Sequence, residues 1–413
     1  CSMFSQTLKK NKELFSNFIS LSSINILNII IPLVTMPYLS RVLGSNGYGV
    51  FFMYTSVVSL AIIISDYSSN IYGVREAAEN KTSNRLNSVY VGMQSSRLIF
   101  SALSILFGWI YCSLFIPEFT SFISFAIIFT SLVGYFFTAT WFHQGVSDLR
   151  FLAISSFIAR VAQLLAIFYF IRSPEDLLLC VIMNSSVYFI IGVMMRWHRL
   201  DKYEISDRIS FRDGWSYTVK GFNSFIGDFS PNLYSNIPPL IIGSFTSPAT
   251  FASYAIAMRI VNIAGSFQLM FAKAAYPLIV RKKISFMVML ALSFAISLVP
   301  VIIIYLSGEK IVNFVFGDGY SQSFIYLSFL APSIVFNAIL CSFSYGYLLP
   351  NKKDTSFRKI SVFVSVVSAL VGYWMISLYG ALGAIGMFVM ARFLFALIYS
   401  SFYIRSEVLK PAL

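Results

Sequence analysis

Apolar residues dominate the chain in runs of twenty or more, and the runs recur from the first segment to the last. A helix that crosses a bilayer needs about 20 such residues. The pattern predicts twelve helices, at 14–40, 49–72, 84–111, 118–142, 148–171, 177–198, 215–243, 249–277, 284–307, 321–348, 357–378 and 382–404. The longest polar stretch, from Arg196 to Asp213, divides them six and six. The expected fold is all-α: a polytopic membrane protein of about 12 transmembrane helices, in two pseudo-symmetric six-helix bundles around a central cavity. The bundles are expected at 1–200 and 215–413, with a cytoplasmic linker at 201–214.

Polar positions inside the spans carry the chemical information. A charge at the centre of a lone membrane helix costs about 2.5–3.5 kcal/mol on the insertion scale. Six occur here: Arg97, Arg160, Arg259, Arg392, Asp66 and Asp228. At 100° per residue most of them share a face with other polar or small residues. Asp228 falls with Ser224, Asn232 and Ser235; Arg259 with Asn262, Ser266 and Lys273; Asp66 with Ser59 and Asn70. Arg97 falls with Gln94 and Ser101, and Arg160 with Ser156 and Gln163. The first helix has no charge but a comparable stripe of Asn17, Asn25 and Asn28. Such seams suit helices lining a wet cavity. Arg392 is the exception, with Ile385, Phe388, Phe395 and Tyr399 around it, so a cation–π or snorkelling role stands beside a cavity role.

The seventh predicted span, "GFNSFIGDFSPNLYSNIPPLIIG", holds Pro231, Pro238 and Pro239 as well as Asp228. Its prolines free backbone carbonyls and predict a bend, tolerable where its polar side meets water or protein. A shift of 203 residues lays Tyr48–Phe51 on Phe251–Tyr254 and Asn25 on Asp228, as parallel repeats would.

Charge orients the bundle. Only 11% of residues are charged, against about 25% in soluble domains. Twenty-three basic residues fall on one side of the predicted spans and three on the other. The positive-inside rule places both termini in the cytoplasm. Topology thus accounts for the net charge of +13 without a nucleic-acid partner. Inside the spans, cations outnumber acids four to two, so the expected cavity favours an anionic substrate. Arg97, Arg160, Arg259, Lys273, Asn25, Asn28, Asn232 and Asn262 are the candidate substrate groups; Asp66 and Asp228 are candidates for coupling to protons or sodium ions. His143 and His198 have no neighbouring ligand pattern, and the four cysteines are scattered, so no metal or cofactor is expected. Gly47-Tyr48-Gly49 reads as a turn rather than an ion filter.

The stretch "MPYLSRVLGSNGYGVFFMYTSVVSL" resembles the start of bacterial O-antigen flippases, in the multidrug/oligosaccharidyl-lipid/polysaccharide exporter superfamily. It carries their Arg-x-Leu-Gly element at Arg41, Leu43 and Gly44, followed by Gly47-Tyr48-Gly49. "SPATFASYAIAMRIVNI" resembles the start of their eighth helix, with Ala252 where a glycine is common, and "SLYGALGAIGMFVMAR" their twelfth. The resemblance implies a two-lobed transporter working by alternating access in the bacterial inner membrane. It implies a polyprenyl-diphosphate-linked oligosaccharide as substrate, with Arg41 and Arg259 on basic positions of the family and other polysaccharide assembly proteins as partners. Two alternatives stand beside it. One is a drug or small-solute antiporter, for which acids rather than arginines are expected in the site. The other is a membrane glycan polymerase or ligase, for which the outer loops are short.

Overall fold

The computed structural model describes residues 29–80, 83–203, 205–280, 284–351 and 353–408, with Ser23, Ile26, Leu27 and Lys282. Asn25 and Asn28 lie outside the described residues. Regular structure among the described residues is entirely helical. In chain order the helices are α1 (Ile29–Val42), α2 (Gly44–Asp66), α3 (Val74–Glu79), α4 (Ser83–Phe115), α5 (Ser121–Thr138) and α6 (Thr140–Gly145). Next come α7 (Arg150–Phe170), α8 (Leu177–Tyr203), α9 (Phe211–Phe229), α10 (Asn232–Ser235), α11 (Ile237–Phe245) and α12 (Pro248–Val280). The last are α13 (Phe286–Phe316), α14 (Ser321–Leu330), α15 (Pro332–Phe343), α16 (Asp354–Tyr379) and α17 (Ala381–Tyr403). Among the described residues, ten helical stretches are long and apolar enough to cross a membrane. The protein is an all-α, multi-pass membrane protein.

Proline punctuates the two interrupted spans. The seventh predicted span is three helices, α9 to α11. Pro231 has no N–H to give, so α9 stops at Phe229; Pro238 and Pro239 sit in the first turn of α11, where a missing N–H costs nothing. Pro332 likewise opens α15 and separates it from α14. A five-residue π turn, Ser344–Leu348, follows α15.

The chain forms two compact units. The first takes the described residues up to Gly44 together with Tyr54–Asp228; the second takes Ser45–Met53 and the residues from Phe229 onward. The later division thus falls inside the seventh predicted span, at the last residue of α9.

Within each unit, glycine lets backbones touch. In the first, α5 crosses α8 at Gly134 and Gly192: a Cβ on Gly192 would sit 2.1 Å from the Gly134 carbonyl oxygen. In the same unit α9 lays Gly214, Thr218 and Gly221 against Ser95, Ser96 and Ser68, with Thr218 Oγ1 2.7 Å from Ser96 Oγ. This is the small-residue packing membrane helices use where lipid gives no hydrophobic drive. In the second unit, Gly383 on α17 meets the Met375 carbonyl of α16. There too Gly49 abuts Pro248, so a Cβ at Gly49 would lie 1.9 Å from the Pro248 oxygen. The neighbouring Tyr48 is fully buried, its ring 4.6 Å from Phe52 and 6.3 Å from Tyr320. The Gly-Tyr-Gly element is not the turn its glycines suggest: it lies within the first turns of α2, where Gly49 allows the close approach to Pro248, and it is part of the second unit's packing.

Candidate functional site

In the first unit α2 ends at Asp66 because Tyr67 turns to φ 47°, ψ −120°, a region sparsely populated by residues other than glycine. Strain of this kind costs on the order of 1–3 kcal/mol and persists only where its surroundings fix it. Here the Tyr67 ring is stacked between Phe100 and Phe225, at 4.1 and 4.6 Å, and its hydroxyl donates to the Thr218 carbonyl at 2.9 Å. The turn aims the Asp66 carboxylate inward. It accepts hydrogen bonds from Tyr135 Oη at 2.6 Å, Asn70 Nδ2 at 2.9 Å and Ser69 Oγ at 3.4 Å. Arg97 Nη2 completes the set at 3.3 Å as a buried ion pair. Arg97 is 1% exposed, and its Nη1 donates to Gln94 Oε1 at 2.7 Å and the Phe136 carbonyl at 3.1 Å. Gln94 also lines a cavity of about 540 Å³ between α4 and α5, whose wall includes Tyr90, Phe136, Arg196, Asp207 and Arg208.

The two seams containing Asp66 and Arg97 are therefore one network. Asp228, exposed near the end of α9, lies within electrostatic reach of Asp66. Arg160 is half-buried on α7, one turn from Gln163, which donates to Asn184 at 3.3 Å. Arg41 is exposed in the last turn of α1.

In the second unit α12 carries a polar stripe down one face. Arg259 is half-buried, Asn262 exposed, Ser266 half-buried and Lys273 exposed. Neighbouring faces bury Ile256, Val261 and Ala272. Asn232 opens α10 and accepts from Asn236 Nδ2 at 2.6 Å. Arg392, which sequence periodicity put among apolar neighbours, is buried on α17 with its guanidinium 4.2 Å over the Phe388 ring.

Periodicity missed a second buried group. Arg199 was expected in a cytoplasmic loop beyond a span ending at 198. Instead α8 continues to Tyr203 and Arg199 is 1% exposed. The cause lies on α5, which ends at the left-handed Ala139, φ 42°. That end leaves carbonyls without helical partners. Arg199 donates to two of them, Thr138 O at 3.0 Å and Phe137 O. Beside it the chain's two histidines come together, His143 Nε2 3.4 Å from Arg199 and His198 5.9 Å ring to ring from His143. Asp148, in the loop after α6, accepts from Lys202 Nζ at 2.7 Å and Tyr203 Oη at 2.8 Å, with His198 Nε2 at 3.2 Å. Burial opposes the charge of Asp148, but these three hydrogen bonds together outweigh it and hold the carboxyl down at about 2. The histidines, lone in sequence, were the available signal for this cluster.

Spans that hold arginine and aspartate in their interior mark a class, the polytopic membrane proteins with a functional site inside the bilayer. Comparison with known proteins places the chain more closely. The polysaccharide biosynthesis protein family matches residues 14–283, and the chain belongs to that family. It is 23% identical over 401 residues to an Escherichia coli (strain K12) protein named "Putative O-antigen transporter", covering 89% of this chain and 91% of the relative. A Shigella dysenteriae protein of the same name is 21% identical, with 87% and 92% covered. Among solved structures, the lipid II flippase MurJ in an inward closed conformation superposes with a TM-score of 0.67 at 13% identity, over 94% of this chain and 87% of that one. An inward-facing multidrug resistance MATE family transporter of the MOP superfamily gives 0.60 at 15% identity, over 95% and 97%. These superpositions show a shared fold. The resemblance read from Arg41 to Gly49 and from α12 is borne out, and these relatives and neighbours carry the names of transporters and flippases, not of enzymes.

Proposed function

We propose that the protein is a flippase for an oligosaccharide carried on a polyprenyl diphosphate, an O-antigen repeat unit, moving it from the cytoplasmic to the periplasmic leaflet of the bacterial inner membrane. The observation that carries this reading is the stripe on α12. A spanning helix presents Arg259, Asn262 and Lys273 on one face, and two of the three are exposed. Cations suit a diphosphate and amides suit sugar hydroxyls, while the lipid tail can stay among acyl chains. Arg41 and Arg160 add to the same charge balance. The fold shared with MurJ and the MATE transporter supports alternating access. Asp66 and Asp228, close enough in the first unit to feel each other's charge, are the groups through which protons or sodium would drive it. Both termini lie in the cytoplasm, as the distribution of basic residues requires. A drug antiporter fits less well, because the α12 stripe would repel organic cations.

Purified protein reconstituted in liposomes with a lipid-diphosphate oligosaccharide tests the proposal by transbilayer movement at varied pH and sodium. Arg259→Ala should insert normally and lower the rate at least tenfold, the loss expected when a charged hydrogen bond is removed. Transport by Arg259→Ala at the wild-type rate, or none by the wild type, would sink the assignment.

A further inference from the structure

Arg97 in the first unit and Arg392 in the second are both buried at the level of the spans, and the two are compensated differently. Arg97 in the first unit has a carboxylate and two close acceptors. Arg392 in the second is 8% exposed, and its hydrogen bonds run from Nη1 to the carbonyl and hydroxyl of Ser333, both at 3.4 Å. A normal N–H···O distance is about 2.9–3.0 Å, and a guanidinium has five N–H donors to place. Among the described residues no carboxylate forms an ion pair with Arg392. Nor does the side chain reach an interface. Arg392 lies at the middle of α17, eleven residues from either end, which is about 17 Å at 1.5 Å per residue. The Phe388 ring 4.2 Å beneath it and the two long bonds answer part of its charge, but a buried cation at mid-span without a carboxylate is costly and is a functional site by default.

Amides lie beside it and donate to one another and to the backbone: Asn337 Nδ2 to Gln268 Oε1 at 2.7 Å, with Cys341 Sγ at 3.7 Å, and Gln268 Nε2 to the Ile334 carbonyl at 2.9 Å. Gly265 lets the α12 backbone pack close to them: a Cβ there would lie 3.4 Å from both Arg392 Nη2 and Asn337 Nδ2. Cys341, one turn beyond Asn337, feels the positive charge of both Arg392 and Lys273. Lys273 is exposed on the α12 stripe, whose face adjoins that of Gly265.

We propose that Arg392, with Ser333 and Asn337, forms an oxyanion site of the second unit that takes a phosphoryl group of the diphosphate, drawn in by Lys273. The identity of the diphosphate rests on the flippase reading; the anion site rests on a buried guanidinium that, among the described residues, has no carboxylate partner.

The test uses full-length protein in lipid nanodiscs, titrated calorimetrically with inorganic pyrophosphate and, separately, with a polyprenyl diphosphate. Arg392→Met should weaken binding at least tenfold, while Arg392→Lys stays within a few-fold of wild type. Arg392→Met should also unfold at a temperature no lower than wild type, because it removes a buried charge that no carboxylate neutralises. An arginine that serves only structure would lower the melting temperature and leave affinity alone. Loss with both ligands means that the diphosphate itself is recognised; loss with the polyprenyl ligand alone means that the lipid-borne form is required. Unchanged affinity of Arg392→Met for both ligands overturns the site. If wild type moves no glycolipid in liposomes yet pyrophosphate binding still depends on Arg392, the flippase reading fails and the anion site stands. If wild type moves glycolipid while binding is independent of Arg392, the anion site fails and the flippase reading stands.

Discussion

Replacing Arg97 by methionine leaves Asp66 charged and buried without its counter-ion. At 3.3 Å and an effective dielectric constant of about 20, the Coulomb attraction removed is roughly 5 kcal/mol. Desolvation of the guanidinium is recovered in part, and removing one partner of a buried pair generally costs about 3–5 kcal/mol. Tyr135, Asn70 and Ser69 still donate to Asp66, which places the loss near about 3 kcal/mol. Asp66→Asn should cost a similar amount, because Arg97 keeps Gln94 and the Phe136 carbonyl but loses its charge partner. The double variant removes both charges and should lose far less than the sum, giving a coupling of about 2–3 kcal/mol in a double-mutant cycle. Thermal unfolding in nanodiscs, followed by tryptophan fluorescence, reads this directly. For a unit of about 200 residues, 3 kcal/mol is a fall of about 6–12 °C in melting temperature. Two single losses that simply add would mean that Arg97 and Asp66 do not act as a pair, and the reasoning from their geometry would be wrong.

Gly49→Ala places a methyl 1.9 Å from the Pro248 oxygen. The start of α2 and the start of α12 must then separate, at about 1–3 kcal/mol, and a melting temperature equal to wild type would refute the contact. Asp148 gives a pH dependence with a definite sign. Its carboxyl is held at about 2, below its ordinary 3.8, so its contribution is complete above about pH 4 and is lost as pH falls through 2. Asp148→Asn should lower the melting temperature at pH 7 and flatten the acid-side decline; a variant whose acid profile parallels wild type would contradict this.

Helix positions were legible because lipid allows a span few patterns, and the proline breaks because a missing N–H is a local fact. Charged seams were legible too, since period 3.6 shows which residues share a face. It does not show what the face meets. Arg97 and Asp66 stand 31 residues apart on different helices, and nothing in either helix's own pattern says that they pair. Arg199 was misplaced for a related reason. The polar run beginning at Arg196 looks like the end of a span, whereas the residue that sets its fate, the left-handed Ala139, is an alanine with no turn signature.

Arg392 shows the limit from the other direction. Its apolar neighbours at helical spacing made it look like the least functional of the four span arginines, yet apolar neighbours are what leave a cation uncompensated. Arg97, with polar residues on its own face, is the one whose charge is already answered, by Asp66. Polar company in sequence marks where a charge can be satisfied by its own unit. Its absence, at the middle of a span and away from any carboxylate, marks where the partner has to come from outside the chain. On that argument the guanidinium of Arg392, which has no carboxylate partner, and not the paired Arg97, is where an anionic substrate finds an answering charge.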